Sequence, residues 1–128
     1  MRTYSGRDWM ARIMGNPAST GTGDYAPATW IGLTENDDNP VLGDTVLAGE
    51  ITTGTLARAQ ATFSHTSGAQ TYTLTKVFTS DQEAEPKKIG VFTAATGGHM
   101  PFEALIADPE EVHVGDQYQI VETVTMTP

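Results

Sequence analysis

The chain has 128 residues, no cysteine and a formal net charge of −9. That length fits one domain with a single modest core, and the lack of cysteine excludes disulfides, thiolate catalysis and cysteine-held zinc or iron–sulfur centres. The acidic balance argues against a nucleic-acid partner, which needs clustered lysine and arginine.

With 38% hydrophobic and 18% charged residues the composition is that of a folded domain. No apolar run approaches the roughly 20 residues that span a bilayer, so no membrane partner is expected. The start, Met1 to Trp9, has no apolar signal region, and assembly in the cytoplasm is the expectation. Charge is unevenly placed. Arg2, Arg7 and Arg12 face only Asp8 in the first twelve residues, whereas Arg58, Lys76, Lys87 and Lys88 stand among all the other acids. A basic tip on an acidic body reads either as an interaction arm or as three solvated arginines.

The first element is a short helix. Ser5 can cap it, Asp8 stands at capping-box spacing, and Trp9, Met10, Ile13 and Met14 form an apolar stripe that Gly15-Asn16-Pro17 ends. A helix of three turns at most needs a surface to pack on, its own domain or a neighbouring subunit. Residues 18–28, rich in Gly, Ser, Thr and Pro, read as a flexible connector. Residues 1–27 are thus expected to be an arm and 28–128 the body.

From Ala28 the period becomes two. Strands are expected at Thr29–Thr34, Ala57–His65, Gln70–Thr79, Lys87–Thr93, Met100–Ile106 and Tyr118–Thr127, with Asp44–Ile51 a short strand or an extended loop. Asn36 to Pro40 supplies an Asx-type turn, Ser67-Gly68 a hairpin between the second and third strands, and Gly97-Gly98 another turn. Twenty threonines raise the β-propensity. The expected fold is all-β, an antiparallel β-sandwich or barrel with a short N-terminal helix on a flexible arm. Lys76 and Glu122 fall in the core-facing register of their strands. They are expected to form one ion pair between neighbouring strands, or to snorkel at a sheet edge.

Chemistry is sparse. Ser64 and His65 are consecutive on a strand and point to opposite faces, so they cannot act as nucleophile and base. His65, His99 and His113 are scattered, without metal-ligand spacing. Glu35 to Asn39 lacks the alternating ligands, glycine and terminal Glu of a calcium loop, and Gly97-Gly98 lacks the residues that follow in a phosphate loop. Glu103 and Glu122 are the only pair worth weighing as glycosidase carboxylates, and few aromatic residues are left over to line a cleft. No catalytic residue, metal or cofactor is expected.

The order of segments Trp30-Ile-Gly-Leu-Thr, Asp44 to Ile51, Leu56-Ala-Arg-Ala, Ala61 to Thr66, Tyr72 to Thr79, Ile89-Gly-Val-Phe and Gly97 to Glu103 resembles a family of short structural proteins of tailed phages. Some members are labelled tail fibre proteins; others are similar to head decoration or minor capsid proteins. The resemblance spans about Trp30 to Thr127 and implies a non-enzymatic virion component. It favours a decoration subunit on the capsid exterior, with the major capsid protein and copies of itself, as a trimer, for partners. Arg2, Arg7, Trp9, Arg12 and Ile13 would be the partner-binding residues. A tail fibre or minor tail protein is the alternative. A carbohydrate-binding module using Trp9, Tyr25 or Trp30 is a third.

Overall fold

The computed structural model describes residues 1, 3, 4, 6 and 27–125. Within them the period-two runs become strands β1 (Trp30–Thr34), β2 (Ala59–Gln60), β3 (Thr62–His65), β4 (Thr71–Thr79), β5 (Lys88–Phe92), β6 (Phe102–Leu105) and β7 (Gln117–Thr125). They form two antiparallel sheets, ordered β2-β1-β5-β6 and β3-β4-β7. The chain is therefore all-β, with a single turn of 3-10 helix at Gly54–Leu56 inside the body.

Alternation decides what each sheet buries. Leu74 and Phe78 on β4, with Ile120 and Val124 on β7, turn inward. Ile31 and Leu33 on β1, with Ile89 and Val91 on β5, meet them from the other sheet in one core that also takes Leu56, Ala84 and Phe102. Ile31, Leu33 and Leu56 are fully buried. Each such side chain contributes about 1.5–3 kcal/mol relative to exposure.

The expected hairpin is present: β3 and β4 pair antiparallel through a turn in which Gly68 has φ 84°. The expected single strand over Ala57–His65 is instead divided. Residues 59–60 pair with β1 and residues 62–65 with β4, and the N–H of Ala61, between them, donates to the Thr29 carbonyl. One extended segment thus passes from one sheet to the other, and alternation alone cannot reveal which sheet a residue joins. Asp44 to Ile51 is a loop that touches β1 through one bridge, Thr34 to Glu50. Asn36 makes the expected Asx turn, its Oδ1 accepting from the Asp38 N–H at 2.9 Å.

The chain start is bonded to the body. The Met1 ammonium donates to the Glu103 carbonyl at 2.6 Å, the Glu103 N–H to the Met1 carbonyl, and the Thr3 N–H to the Pro101 carbonyl, so Met1 and Thr3 lie antiparallel along the edge of β6. Thr3 is fully buried, and its hydroxyl accepts from the Gly6 N–H at 3.0 Å while donating to the Met100 carbonyl at 2.9 Å. Thr3 thus makes a capping contact, and Ser5, the expected cap, lies outside the described residues. Tyr4 and Gly6 have helical backbone. The rest of the expected helix and connector, residues 7–26, lies outside the described residues.

Candidate functional site

Arg2, Arg7, Trp9, Arg12 and Ile13, the expected partner-binding residues, lie outside the described residues, as does Tyr25. Three regions of the described body, and one small cluster of side chains apart from them, carry exposed or polar chemistry.

The first is the outer face of the three-stranded sheet. Odd-numbered residues of β4 and β7 point away from the core and pair as Thr71–Thr125, Thr73–Thr123, Thr75–Val121, Val77–Gln119 and Thr79–Gln117. Thr62 and Ser64 extend the face across β3. None of these side chains is charged. Val77 and Val121 are 45% and 53% exposed. In a chain of net charge −9, this face can be covered without desolvating an ion, and its threonine hydroxyls and glutamine amides both donate and accept.

The second is the outer face of the four-stranded sheet, where Trp30, Gly32 and Thr34 lie beside Phe92, Gly90 and Lys88, with Glu103 and Leu105 next on β6. Loops cover this face. Leu47 and Met100 pack on Phe92 and Trp30. Trp30 is therefore a packing residue and not the exposed platform that the carbohydrate-binding alternative would need. A side chain at Gly32 would meet the Glu50 carboxylate at 2.6 Å, so glycine makes room for a half-buried ion pair. Arg58 grips Glu50 with two bonds, of 2.8 and 2.6 Å, and donates to the Ala94 and Gly97 carbonyls. Its guanidinium lies 3.4 Å from the centroid of the Phe92 ring. Every contact of Arg58 is internal, and its role is to hold the loops.

Beside it lies a carboxyl pair. Glu103 is 1% exposed and faces Asp44, and neither Glu103 oxygen has a hydrogen-bond partner while the group is ionised. Two ionised carboxylates are both acceptors; a proton on Glu103 makes it a donor toward Asp44. Burial first, then the Asp44 carboxyl, pushes Glu103 up to about 7, while Asp44 is held below the usual range chiefly by the Glu103 hydroxyl. The nearby Lys88 ammonium opposes the rise; it is itself buried and donates to the Asp38 carbonyl at 3.0 Å.

The third is the seam between β6 and β7, into which Glu122 projects. The expected Lys76–Glu122 ion pair is not made. The strands are neighbours as expected, but the register sets Glu122 opposite Leu74 and Lys76 opposite Ile120, a diagonal offset. Lys76 instead lies with its ammonium 6.0 Å from the Phe78 ring. Glu122, on the edge strand, is half-buried, and burial raises its carboxyl while the Met1 ammonium acts to lower it. Glu103 and Glu122 lie on different sheets, one on an outer face and one on an inner face, and do not converge as a glycosidase pair.

His65, at the end of its strand, bonds the Thr71 carbonyl through Nδ1 at 3.0 Å. Ser64 points to the opposite face. Around the bridge between Ala84 and Val112, the exposed Glu83, Glu111 and His113 come close together, with His113 3.6 Å from Glu83. Residues 83 and 113 flank a bridge between distant segments, so no local spacing announces them.

No family model matches this chain, and no curated protein matches it.

Proposed function

We propose that this chain is a non-enzymatic structural protein of a tailed-phage virion, seated as a decoration subunit on the outside of the major capsid lattice. Its two sheets then act as a β-sandwich that presents one face to the shell or to neighbouring copies. The observation that carries this reading is the uncharged outer face of β3-β4-β7, the part of an acidic protein best suited to lie against another surface. The resemblance of its segment order to short phage structural proteins supplies the setting.

Area shapes the mode of binding. Two strands of nine residues and one of four, at about 3.3 Å per residue and about 4.8 Å between strands, give a face of roughly 350 Å². A stable interface takes about 800 Å² from each partner. The face therefore needs a second contact, which the basic segment with Arg2, Arg7, Trp9, Arg12 and Ile13 supplies. Two weak contacts joined in one chain bind with the avidity that neither has alone. Copies clustered at three-fold positions would add contacts between themselves.

The test is to mix purified protein with undecorated capsids, pellet them and count bound copies. Saturation at hundreds of copies per particle is the expected result, and a Val77→Asp/Val121→Asp double variant should lose it. Absence of binding overturns the capsid assignment in favour of the tail, where a few copies per virion would be found.

A further inference from the structure

The seam between β6 and β7 has the chemistry of a strand-docking site. β7 is paired with β4 along all nine of its residues. Its other edge makes no backbone hydrogen bond to any described residue. Such an edge is a template for another strand. The facing edge of β6 already accepts one: Met1 and Thr3 lie along Glu103 and Pro101, in the part of the seam bordered by Glu122 to Thr125. Met1 pairs with Glu103 and Thr3 with Pro101, so this lane continues beyond Met1 toward Leu105. There it opens into a groove of about 340 Å³ between Ala104, Leu105 and Ile106 on one side and Tyr118 to Glu122 on the other.

The groove has a distinct character. Leu105 and Val121 on its rim are 42% and 53% exposed, and Ile120 forms part of its floor. Its charged residues are Asp108, Glu110 and Glu122, with no lysine or arginine among the lining residues. Glu122 points inward from an edge strand, a device that discourages indiscriminate pairing. An all-apolar strand laid here would seal its carboxylate away from water with only the Met1 ammonium, already bonded to the Glu103 carbonyl, to oppose its charge. A strand that brings a cation would neutralise it, so the same residue that rejects most strands selects one kind.

We propose that this groove binds an extended, largely apolar segment of a partner protein that carries a lysine or arginine against Glu122, added as a further strand along β7. Main-chain hydrogen bonds supply the attraction, Leu105, Ile120 and Val121 the apolar contacts, and Glu122 the selectivity.

The test uses the intact protein and three acetylated heptapeptides: valine and threonine around a central lysine; the same with norleucine in place of lysine; and the lysine peptide N-methylated at alternate backbone nitrogens. Fluorescence anisotropy should show the lysine peptide binding at least tenfold more tightly than either of the others. Glu122→Gln should erase the preference for lysine over norleucine. Equal binding of the N-methylated peptide would mean attraction by charge alone and would overturn the proposal, as would no binding of the lysine peptide at millimolar concentration. Neither outcome bears on capsid pelleting, which tests the decoration role separately.

Discussion

Replacing Glu103 by Gln should make the protein more stable at pH 8 and leave it almost unchanged at pH 5. Glu103 is a carboxyl raised on folding from its ordinary 4.5 to about 7, so between those values the folded state holds a proton that the unfolded state has released. Stability therefore falls as pH rises through that window. The full displacement corresponds to about 3 kcal/mol, and screening by solvent around the partly exposed Asp44 reduces this to roughly 2 kcal/mol. Asp44 is lowered from 3.8, and its own contribution changes only at more acid pH. Glu122 is raised by burial and leaves a shallower slope of the same sign in the variant. Glutamine keeps the volume of Glu103 and offers Asp44 an amide donor at every pH. Urea unfolding followed by tryptophan fluorescence at pH 5 and pH 8 reads the difference. The wild-type midpoint should drop by about 1 M across this range, and the variant's by clearly less. A wild-type protein more stable at pH 8 than at pH 5, or a variant destabilised at pH 8, would refute the reasoning.

Two further outcomes follow from buried polar contacts. Arg58→Met leaves the half-buried Glu50 carboxylate without its partner and should cost about 2–3 kcal/mol in urea unfolding, less than for a fully buried pair because Glu50 keeps some contact with water; Arg58→Lys should lose less, because it keeps the charge and only the two-pronged geometry goes. Thr3→Val keeps the shape but removes the hydroxyl that caps at Gly6 and bonds Met100, and should cost about 1–2 kcal/mol. Amide exchange at Glu103, whose N–H bonds Met1, should speed up in that variant while exchange in β4 stays slow.

The strands were legible because alternation, threonine content and turn glycines are local. Tyr72, Leu74 and Phe78 on one face against threonines on the other mark β4 and both of its surfaces, including the uncharged one. What stayed hidden depends on contacts between distant segments. Alternation through Ala57 to His65 is continuous, yet the chain changes sheets at Ala61, and only the position of Thr29 shows it. Glu103 reads as one more residue of an alternating strand; its meeting with Asp44, far away in sequence, is set by how a loop covers the sheet. The inward charge at Glu122 was visible as an anomaly in the pattern. Its meaning, an edge strand opening on a seam, required the strand order. The carbonyls bonded by Arg58 lie far along the chain from it, and no spacing rule could have paired them.

The change of sheet at Ala61 has a mechanical consequence. On that side the molecule is bound like the spine of a book: the same covalent chain pairs with β1 and then with β4, so the two leaves cannot part there without breaking one of the two ladders. On the opposite side, β6 and β7 meet through side chains, and Met1 and Thr3 bond to the β6 side alone. Fluctuations should therefore open the leaves at β6 and β7 and leave β1 and β4 still, so the side that yields is the one with an unpaired edge.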